Sequence, residues 1–318
     1  MADLYTPLLS VIFFFFTFLN PTLSELCNPK DKNTLLQIKK AFNDPYVLTS
    51  WNPSTDCCHW YCVTCDPKTH RINSLTVFTG GLSGQIPPQV GDLPFLETLD
   101  IRKQPNLTGP IQPAIAKLSK LKFLRLNWNN LTGSVPDFIG NLKNLTFLDL
   151  SFNNLTGSIP SSLSKLENLL TIRLERNKLT GSIPESFGDF PGNGPGIILS
   201  HNQLSGKIPD SNRLEGDGSV VFGSNKTTQN VDLSRNLLEF DVSKVEFSKS
   251  LTFIDLNHNK IFGSLPVGLT ALDNLQGFNV SYNRLCGEIP VGGKLQSFDD
   301  TSYFHNRCLC GAPLASCK

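Results

Sequence analysis

The sequence has few charged residues and almost no excess of either sign. Aspartate, glutamate, lysine and arginine together make up 17% of its 318 residues, and the formal net charge is +1. A nucleic-acid-binding protein is therefore not expected, because that class has a clear basic excess. Intrinsic disorder is not expected either, since it requires many charges and few apolar residues, whereas 39% of this chain is hydrophobic.

Residue spacings that serve catalysis are also missing. The five histidines form neither the H-E-x-x-H nor the H-x-H pattern of a metal site. The segment Gly81–Gly84 reads GLSG, which lacks the G-x-S-x-G sequence of a nucleophile elbow. We therefore expect a protein that is not an enzyme, with no catalytic residues, no metal site and no cofactor.

Only one long apolar run is present, and it lies at the amino end. Residues 8–19 include four consecutive phenylalanines and no charged residue. A helix of this length rises about 18 Å, which is too short for the roughly 30 Å hydrocarbon core of a bilayer. The run predicts a secretory signal peptide over residues 1–24, and we expect a secreted, extracellular chain without a membrane anchor.

Cysteine is absent from residues 66–285, although the chain contains nine. Five lie between Cys27 and Cys65, and four lie between Cys286 and Cys317. In an oxidising compartment, this distribution predicts disulfide bonds that staple a cap at each end of the chain. A CxxC spacing in the first group is interpreted as part of this framework rather than as a metal or redox site. The odd number leaves at least one thiol unpaired or intermolecular.

A motif of about 24 residues recurs along the middle of the chain. The segment Leu148–Pro160 reads LDLSFNNLTGSIP, and its neighbours Leu124–Pro136 and Ile172–Pro184 are each offset by 24. The two leucines of L-x-L face the same side of a strand, and the asparagine that follows can satisfy buried backbone groups. The pattern predicts an α/β leucine-rich repeat solenoid, a right-handed superhelix with a concave parallel sheet and 3₁₀ or short helices on the convex side. The predicted organisation is a signal peptide at 1–24, an N-terminal cap at 25–66, repeats at 67–290 and a C-terminal cap at 291–318.

One coil of the repeat is incomplete within residues 203–230. Asn202 and Asn212 are only ten residues apart. Ile197–Leu199 and Val231–Leu233 are offset by 34 residues, where two coils would need about 48. We predict that these two strands stack directly and that about ten residues bulge on the convex side, with a register fault as the alternative. In either case one row of the concave face is missing.

The register of the repeat identifies the side chains that face the concave side. They combine aromatic rings with charges of both signs, a composition that is enriched at protein interfaces. The near balance of bases and acids favours a folded partner with patterned charge. For phenylalanines such as Phe147, packing between coils is the alternative interpretation. The candidate partner-binding residues are Arg125, Trp128, Phe147, Asp149, Phe152, Arg173, Glu175, Arg176, His201, Asp232, Arg235, Asp255 and His258.

Six N-x-S/T sequons predict glycan sites on the exposed surface of a secreted protein. Three of them fall inside the repeated motif, so some are by-products of the repeat. The candidates are Asn106, Asn130, Asn144, Asn154, Asn225 and Asn279.

Three cap segments add a family signature to the repeat. Thr55–Cys58 reads TDCC, Trp60–Cys65 reads WYCVTC and Arg307–Leu314 reads RCLCGAPL. Together with the repeat L-x-x-L-x-L-x-x-N-x-L-T/S-G-x-I-P, they closely resemble plant polygalacturonase-inhibiting proteins over essentially the whole chain. The resemblance implies a monomeric protein of the plant cell wall that inhibits fungal endopolygalacturonases through its concave face, with Asp149 as a contact residue.

The resemblance also implies a disulfide pattern, which leaves Cys62 unpaired. The incomplete coil departs from the family pattern and removes concave positions. Two other functions stay open: a soluble receptor-like recognition module, and a wall protein that adheres to pectin or polygalacturonate through Arg125, Arg173 and Arg176 without inhibiting an enzyme. The implied disulfides are Cys27–Cys57, Cys58–Cys65, Cys286–Cys308 and Cys310–Cys317.

Overall fold

A computed structural model describes residues 26–190, 194–206, 222 and 228–318. The predicted signal peptide, the predicted convex bulge and the sequon at Asn225 lie outside these residues. Within them, no helix combines the length and the apolar composition that crossing a bilayer requires.

The described chain begins with the helix Pro29–Ala41. Its start is set by Asn28, whose side-chain oxygen accepts a hydrogen bond from the backbone N–H of Lys30 at 3.0 Å. The buried carboxylate of Asp31 receives two hydrogen bonds of 2.8 Å from Arg71, and this pair ties the helix to the first repeat strand. The helix therefore closes the N-terminal end of the core.

Ten strands form one sheet along the concave side. The first pair is antiparallel, and every later pair is parallel. Its strands are Val63–Cys65, Ile72–Phe78, Thr98–Arg102, Phe123–Arg125, Phe147–Asp149, Thr171–Arg173, Gly196–Ile198, Asn230–Asp232, Phe253–Asp255 and Gly277–Asn279.

Each coil contributes the two leucines of its L-x-L segment to a continuous core. Leu148 and Leu150 are fully buried, as are Leu124 and Leu126 one coil earlier. Burying one such side chain stabilises the fold by about 1.5–3 kcal/mol. The predicted solenoid is therefore confirmed, with its core between the concave sheet and the convex segments.

The incomplete coil does not interrupt the concave sheet. Ile197 pairs with Val231 and Ile198 pairs with Asp232, although 34 residues separate each pair. This contact confirms the predicted direct stacking and rules out a register fault in the sheet. The residues that would bulge on the convex side are not among those described.

Short strands and 3₁₀ helices complete the coils. The short strands are Ser83–Gly84, Gln104–Gly109, Asn129–Leu131, Thr156–Gly157, Lys178–Gly181, Gln203–Gly206, Leu237–Leu238, Phe262–Gly263, Arg284–Glu288 and Cys308–Cys310. The 3₁₀ helices are Tyr46–Leu48, Cys57–His59, Pro88–Asp92, Pro113–Lys117, Asp137–Asn141, Ser161–Lys165, Glu185–Asp189, Val242–Lys244, Val267–Ala271, Leu295–Ser297 and Asp300–Ser302.

An asparagine ladder holds successive coils together. The Nδ2 atom of Asn153 donates to the carbonyls of Leu126 at 2.9 Å and Leu150 at 3.1 Å. Its Oδ1 atom accepts from the N–H of Leu131 at 3.0 Å. One amide thus satisfies buried backbone groups in two coils. Equivalent bonds to the carbonyl three residues earlier are made by Asn129, Asn177, Asn202, Asn236, Asn259 and Asn283.

A glutamine takes the ladder position in the second coil. Gln104 is fully buried, and its Oε1 atom accepts from the N–H of Leu82 at 3.0 Å. Its longer side chain reaches the carbonyl of Arg102 at 3.3 Å. In this coil the ladder position is therefore Gln104, two residues before Asn106. Its side-chain amide makes the same kind of hydrogen bond, and a search for asparagine alone does not detect it.

Disulfide bonds staple both caps. They join Cys27 to Cys57, Cys58 to Cys65, Cys286 to Cys308, and Cys310 to Cys317. These are the four pairs that the family resemblance implies. Cys62 is the free cysteine, and burial raises the pKa of its thiol to about 11, which keeps it protonated at neutral pH.

Candidate partner-binding surface

The parallel register aligns one concave residue from each of the last eight strands, from Thr98–Arg102 onward, into a charged column. The sign of the side-chain charge alternates along the first half of the column. It does not alternate along the second half, because Ile198 follows Arg173 and two aspartates come next. The column consists of Asp100, Arg125, Asp149, Arg173, Ile198, Asp232, Asp255 and Asn279.

Asp149 lies at the base of this column rather than at its surface. It is only 6% exposed, and its Oδ1 atom accepts from the N–H of Ser151 at 3.1 Å and from its hydroxyl at 2.6 Å. The neighbouring Arg125 lies 3.6 Å from the carboxylate of Asp100, and Arg173 pairs with Glu175. Within the described part of the chain, Asp149 therefore has no ion-pair partner, and its role as a partner contact stays a prediction.

A second row, the turn column, lies where each strand ends. Its members immediately precede the ladder amides and have φ angles between 52° and 58°, which is the left-handed region. For residues other than glycine, this conformation costs about 1–2 kcal/mol. Hydrogen bonds between coils offset the cost. The turn column consists of Lys103, Trp128, Phe152, Arg176, His201, Arg235, His258, Tyr282 and His305.

Aromatic side chains in the turn column stack in two groups. The rings of Trp128 and Phe152 are parallel within 12° and 3.7 Å apart, and Arg176 lies 5.1 Å from the centre of the Phe152 ring. Farther along, Tyr282 stacks at 4.1 Å on His258 and at 4.2 Å on His305. Stacked rings lose little conformational freedom on binding, so both groups are suited to anchor a partner.

The remaining predicted contact residues divide between exposed and covered positions. Arg176 and Arg235 are exposed, whereas His201, Asp232 and Asp255 are half-buried. Phe147 is also half-buried, with the guanidinium of Arg125 at 4.7 Å from its ring, so packing between coils accounts for part of its role. Sequence periodicity places all of these side chains on one face. It does not reveal the left-handed turn column, because its residue types carry no signal for that conformation.

Several concave groups titrate at unusual pH values. Burial raises the pKa of Asp255 to about 6, and the adjacent carboxylate of Asp232 acts in the same direction. Burial lowers the pKa values of His201 and His258, and the positive charge of Arg235 lowers them further. Both imidazoles are therefore more readily neutral at weakly acidic pH than an ordinary histidine.

Replacing Asp255 by asparagine should remove part of the pH dependence of stability. A carboxyl whose pKa rises from 3.8 to about 6 on folding binds more protons in the folded chain, so stability falls as pH rises through this range. The free energy of unfolding of D255N, relative to that of wild type, should rise by about 1–2 kcal/mol from pH 4 to pH 7. Urea unfolding at each pH measures this difference. The matched control is Asp241→Asn, outside the concave face. Parallel pH profiles for wild type and D255N would contradict the assignment.

One group of cysteines has the spacing of a metal site. The sulfur atoms of Cys27, Cys57, Cys58 and Cys65 lie within 4.8 Å of one another. All four are joined in disulfides and therefore lack the thiolates that bind zinc. Among the described residues, no other grouping of three histidine, cysteine or acidic side chains is close enough to hold an ion.

The predicted glycan sites differ in accessibility. Asn106, Asn130 and Asn144 are exposed, whereas Asn154 and Asn279 are half-buried. The side chain of Asn154 donates to that of Asn130, one coil earlier. Asn279 lies on a concave strand, so a glycan there would occupy the candidate surface. Glycosylation at these positions stays a prediction.

Comparisons with known proteins agree with the repeat and its cap. Residues 28–66 match the leucine rich repeat N-terminal domain, and 120–142, 144–166, 168–190 and 250–272 match the Leucine Rich Repeat. The crystal structure of a plant ice-binding protein is similar, with 52% identity and a TM-score of 0.78, over 92% of this chain and 98% of that one.

Two curated plant proteins are more similar in sequence. Polygalacturonase inhibitor of Pyrus communis is 70% identical over 327 residues, covering 99% of each chain. Polygalacturonase inhibitor 1 of Arabidopsis thaliana is 63% identical, covering 96% of this chain and 98% of the relative. This identity spans the caps, the repeats and the concave strands described above. The chain therefore belongs to the polygalacturonase inhibitor family of leucine-rich repeat proteins.

Proposed function

We propose that this chain is a secreted protein of the plant cell wall that binds fungal endopolygalacturonases through its concave face and inhibits them. The observation that carries the proposal is the identity with polygalacturonase inhibitors along nearly the whole length of both chains. The exposed aromatic groups and unpaired acids of the concave face support it, because they suit recognition of a folded protein. The chain acts as an inhibitor and not as an enzyme.

The charges on the concave face support a steric and electrostatic mechanism. A polygalacturonase binds a polyanionic substrate, so its cleft needs basic side chains. Asp149, Asp232 and Asp255 can attract those side chains, while the aromatic stack of Trp128 and Phe152 supplies apolar contact area. A protein seated across the cleft in this way would keep the polymer out without any chemical step.

Adhesion to pectin is the weaker alternative on this structure. Two of the three arginines considered for it, Arg125 and Arg173, are already paired with the carboxylates of Asp100 and Glu175. Arg176 alone is exposed and forms no ion pair within the described residues. We further propose that the chain acts as a monomer, with one concave face engaging one enzyme.

The direct test measures the release of reducing ends from polygalacturonate by a panel of fungal endopolygalacturonases, with and without the purified protein. We expect dose-dependent inhibition of at least one enzyme. Absence of inhibition across a broad panel would overturn the proposal. Binding to a plant membrane protein with unchanged enzyme activity would instead identify a receptor-like module.

Replacing Asp149 by asparagine should weaken inhibition by about 1–2 kcal/mol, or roughly five- to thirtyfold. The fold already shows that asparagine suits this position, because Asn279 accepts from the N–H of Ser281 at 3.0 Å and from its hydroxyl at 2.7 Å. D149N therefore removes the charge and keeps the local hydrogen bonds. The measurement is the inhibition constant, with thermal unfolding as the folding control. An unchanged constant would exclude Asp149 as a contact.

A further inference from the structure

The first coils of the concave face carry more positive than negative charge. Three bases, Arg102, Lys103 and Arg125, lie there in two adjacent coils. Asp100 lies between the two arginines, 3.0 Å from Arg102 and 3.6 Å from Arg125. This carboxylate is buried, whereas about a third of each arginine side chain is exposed. One acid therefore faces two guanidinium groups, and the surface at this end is basic.

Lys103 is the base that has no carboxylate partner here. It is exposed, and it forms no ion pair within the described residues. Its backbone is held at a φ of 55°, and its N–H donates to the carbonyl of Asn127 at 3.2 Å. Its Nζ atom lies 4.9 Å from the centre of the Phe78 ring, and the guanidinium of Arg102 lies 5.0 Å from the same ring. The ammonium group is therefore placed over an aromatic surface and stays available to a partner.

This group of bases is too short to follow a polyanionic chain. On one side of it, the strand Ile72–Phe78 places Thr76 beside Asp100 and contributes no base. On the other side, the register places Asp149 directly beside Arg125. Adjacent strands lie about 4.8 Å apart, so the three bases span only about 5 Å along the sheet. A polymer that continued along the column would meet a carboxylate, whereas one acidic group of a folded protein would not.

The proposed partner supplies acidic groups of this kind. A glycoside hydrolase acts through a pair of carboxylic side chains in its cleft. The cleft of a polygalacturonase also needs bases for its polyanionic substrate, so it combines both signs of charge. The concave face has the complementary arrangement, because Lys103 lies two strands before Asp149. Opposite charges at two points fix the orientation of a bound protein and speed its encounter.

We infer that Lys103, supported by Arg102 and Phe78, pairs with an acidic side chain of the inhibited polygalacturonase that lies in or beside its cleft. The inference rests on the proposed function, since it names the chemistry of the partner at one end of the same face. It assigns to the first coils a task that the acids of the later coils do not perform. That task is to set the direction in which the enzyme lies along the column.

Charge reversal at Lys103 tests this pairing. Lys103→Glu should weaken inhibition by at least about tenfold at low salt, mainly through slower association, and the difference from wild type should shrink as salt rises. Lys178→Glu is the matched control, because Lys178 is exposed in the strand Lys178–Gly181, outside the concave sheet. Thermal unfolding checks the fold of both variants. Equal inhibition by wild type and K103E would overturn the inference and leave the proposed function standing.

A double-mutant cycle identifies the acidic group of the enzyme. Acidic residues in and beside the cleft of an inhibited enzyme are replaced one at a time by their amides. Surface plasmon resonance then measures binding to wild type and to K103E without requiring activity. One replacement should weaken binding to wild type by at least about fivefold and leave binding to K103E unchanged. Equal losses for both at every position would overturn the inference, as would a K103E variant that loses only its binding to polygalacturonate.

Fluorescence quenching measures the charge at this end without an enzyme. Trp51 and Trp60 are buried, so Trp128, in the coil after Lys103, is the accessible indole of the three. Relative to free tryptophan, iodide should quench wild type more strongly than caesium, and this ratio should fall at least about twofold in K103E but not in K178E. An unchanged ratio would overturn the inference. If the ratio falls but wild type inhibits no enzyme, the proposed function and its partner fail, whereas the assigned charge stands.

Discussion

Replacing Asn153 by alanine should lower the free energy of unfolding by about 2–4 kcal/mol. The side chain is buried, and it provides the acceptor for the N–H of Leu131. The amide also donates to three carbonyls, of Leu126, Leu150 and Ser151, and that of Leu150 additionally accepts from Asn177 at 3.0 Å. The variant therefore leaves one N–H without a partner, removes one donor from each of three carbonyls and opens a small cavity. Because each coil contacts only its neighbours, the loss should also reduce the cooperativity of unfolding.

Urea unfolding followed by circular dichroism checks this expectation. The control is Asn168→Ala, because Asn168 is exposed and donates one bond, to the carbonyl of Lys143 on the convex side. The free energy of unfolding of that variant should fall by less than about 1 kcal/mol. A similar small loss for both variants would show that the ladder amide is not a principal stabilising contact.

Replacing Trp128 by alanine should weaken inhibition by about 2–4 kcal/mol, or roughly 30- to 1,000-fold. The indole is 47% exposed, yet its position is fixed by the parallel ring of Phe152 at 3.7 Å. A large, preorganised aromatic surface loses little entropy when a partner covers it, which is typical of an interface hot spot. The stability of the chain should change far less, because the ring is outside the core.

Tyr46→Ala is the matched control for this aromatic truncation. Tyr46 is 92% exposed on the 3₁₀ helix Tyr46–Leu48 in the N-terminal cap, away from the concave sheet. The inhibition constant of Y46A should equal that of wild type. If W128A and Y46A inhibit alike, the partner does not engage the turn column at this position, and the binding surface must be sought elsewhere on the chain.

Sequence alone predicts the scaffold well, because each repeat residue has one dominant task. The spacing of Leu148 and Leu150 requires a strand with one buried side, and Asn153 follows at the point where the backbone needs an amide. Periodicity also predicts the direct pairing at Gly196–Ile198, because the length of chain between the strands allows no further coil. Gln104 escapes such a search only because another residue type supplies the same amide.

The details of the binding face depend on contacts between coils, which sequence does not show. The register places Asp149 on the concave side but does not reveal that Ser151 occupies one of its oxygens. Similarly, neighbouring arginines pair with other acids, so their charge is less available than their number indicates. The disulfide connectivity came from family resemblance, since nine cysteines allow many pairings.

The direct pairing of Gly196–Ile198 with Asn230–Asp232 also sets a distance between recognition elements. Adjacent strands lie about 4.8 Å apart, so one fewer strand brings the Trp128 stack closer to the Tyr282 stack by about that amount. A rigid partner that contacts both stacks fits only one distance between them, so the change in this distance would alter its affinity. The number of strands between two contact groups therefore sets their spacing. A solenoid can select partners by this spacing, whichever residues form the groups.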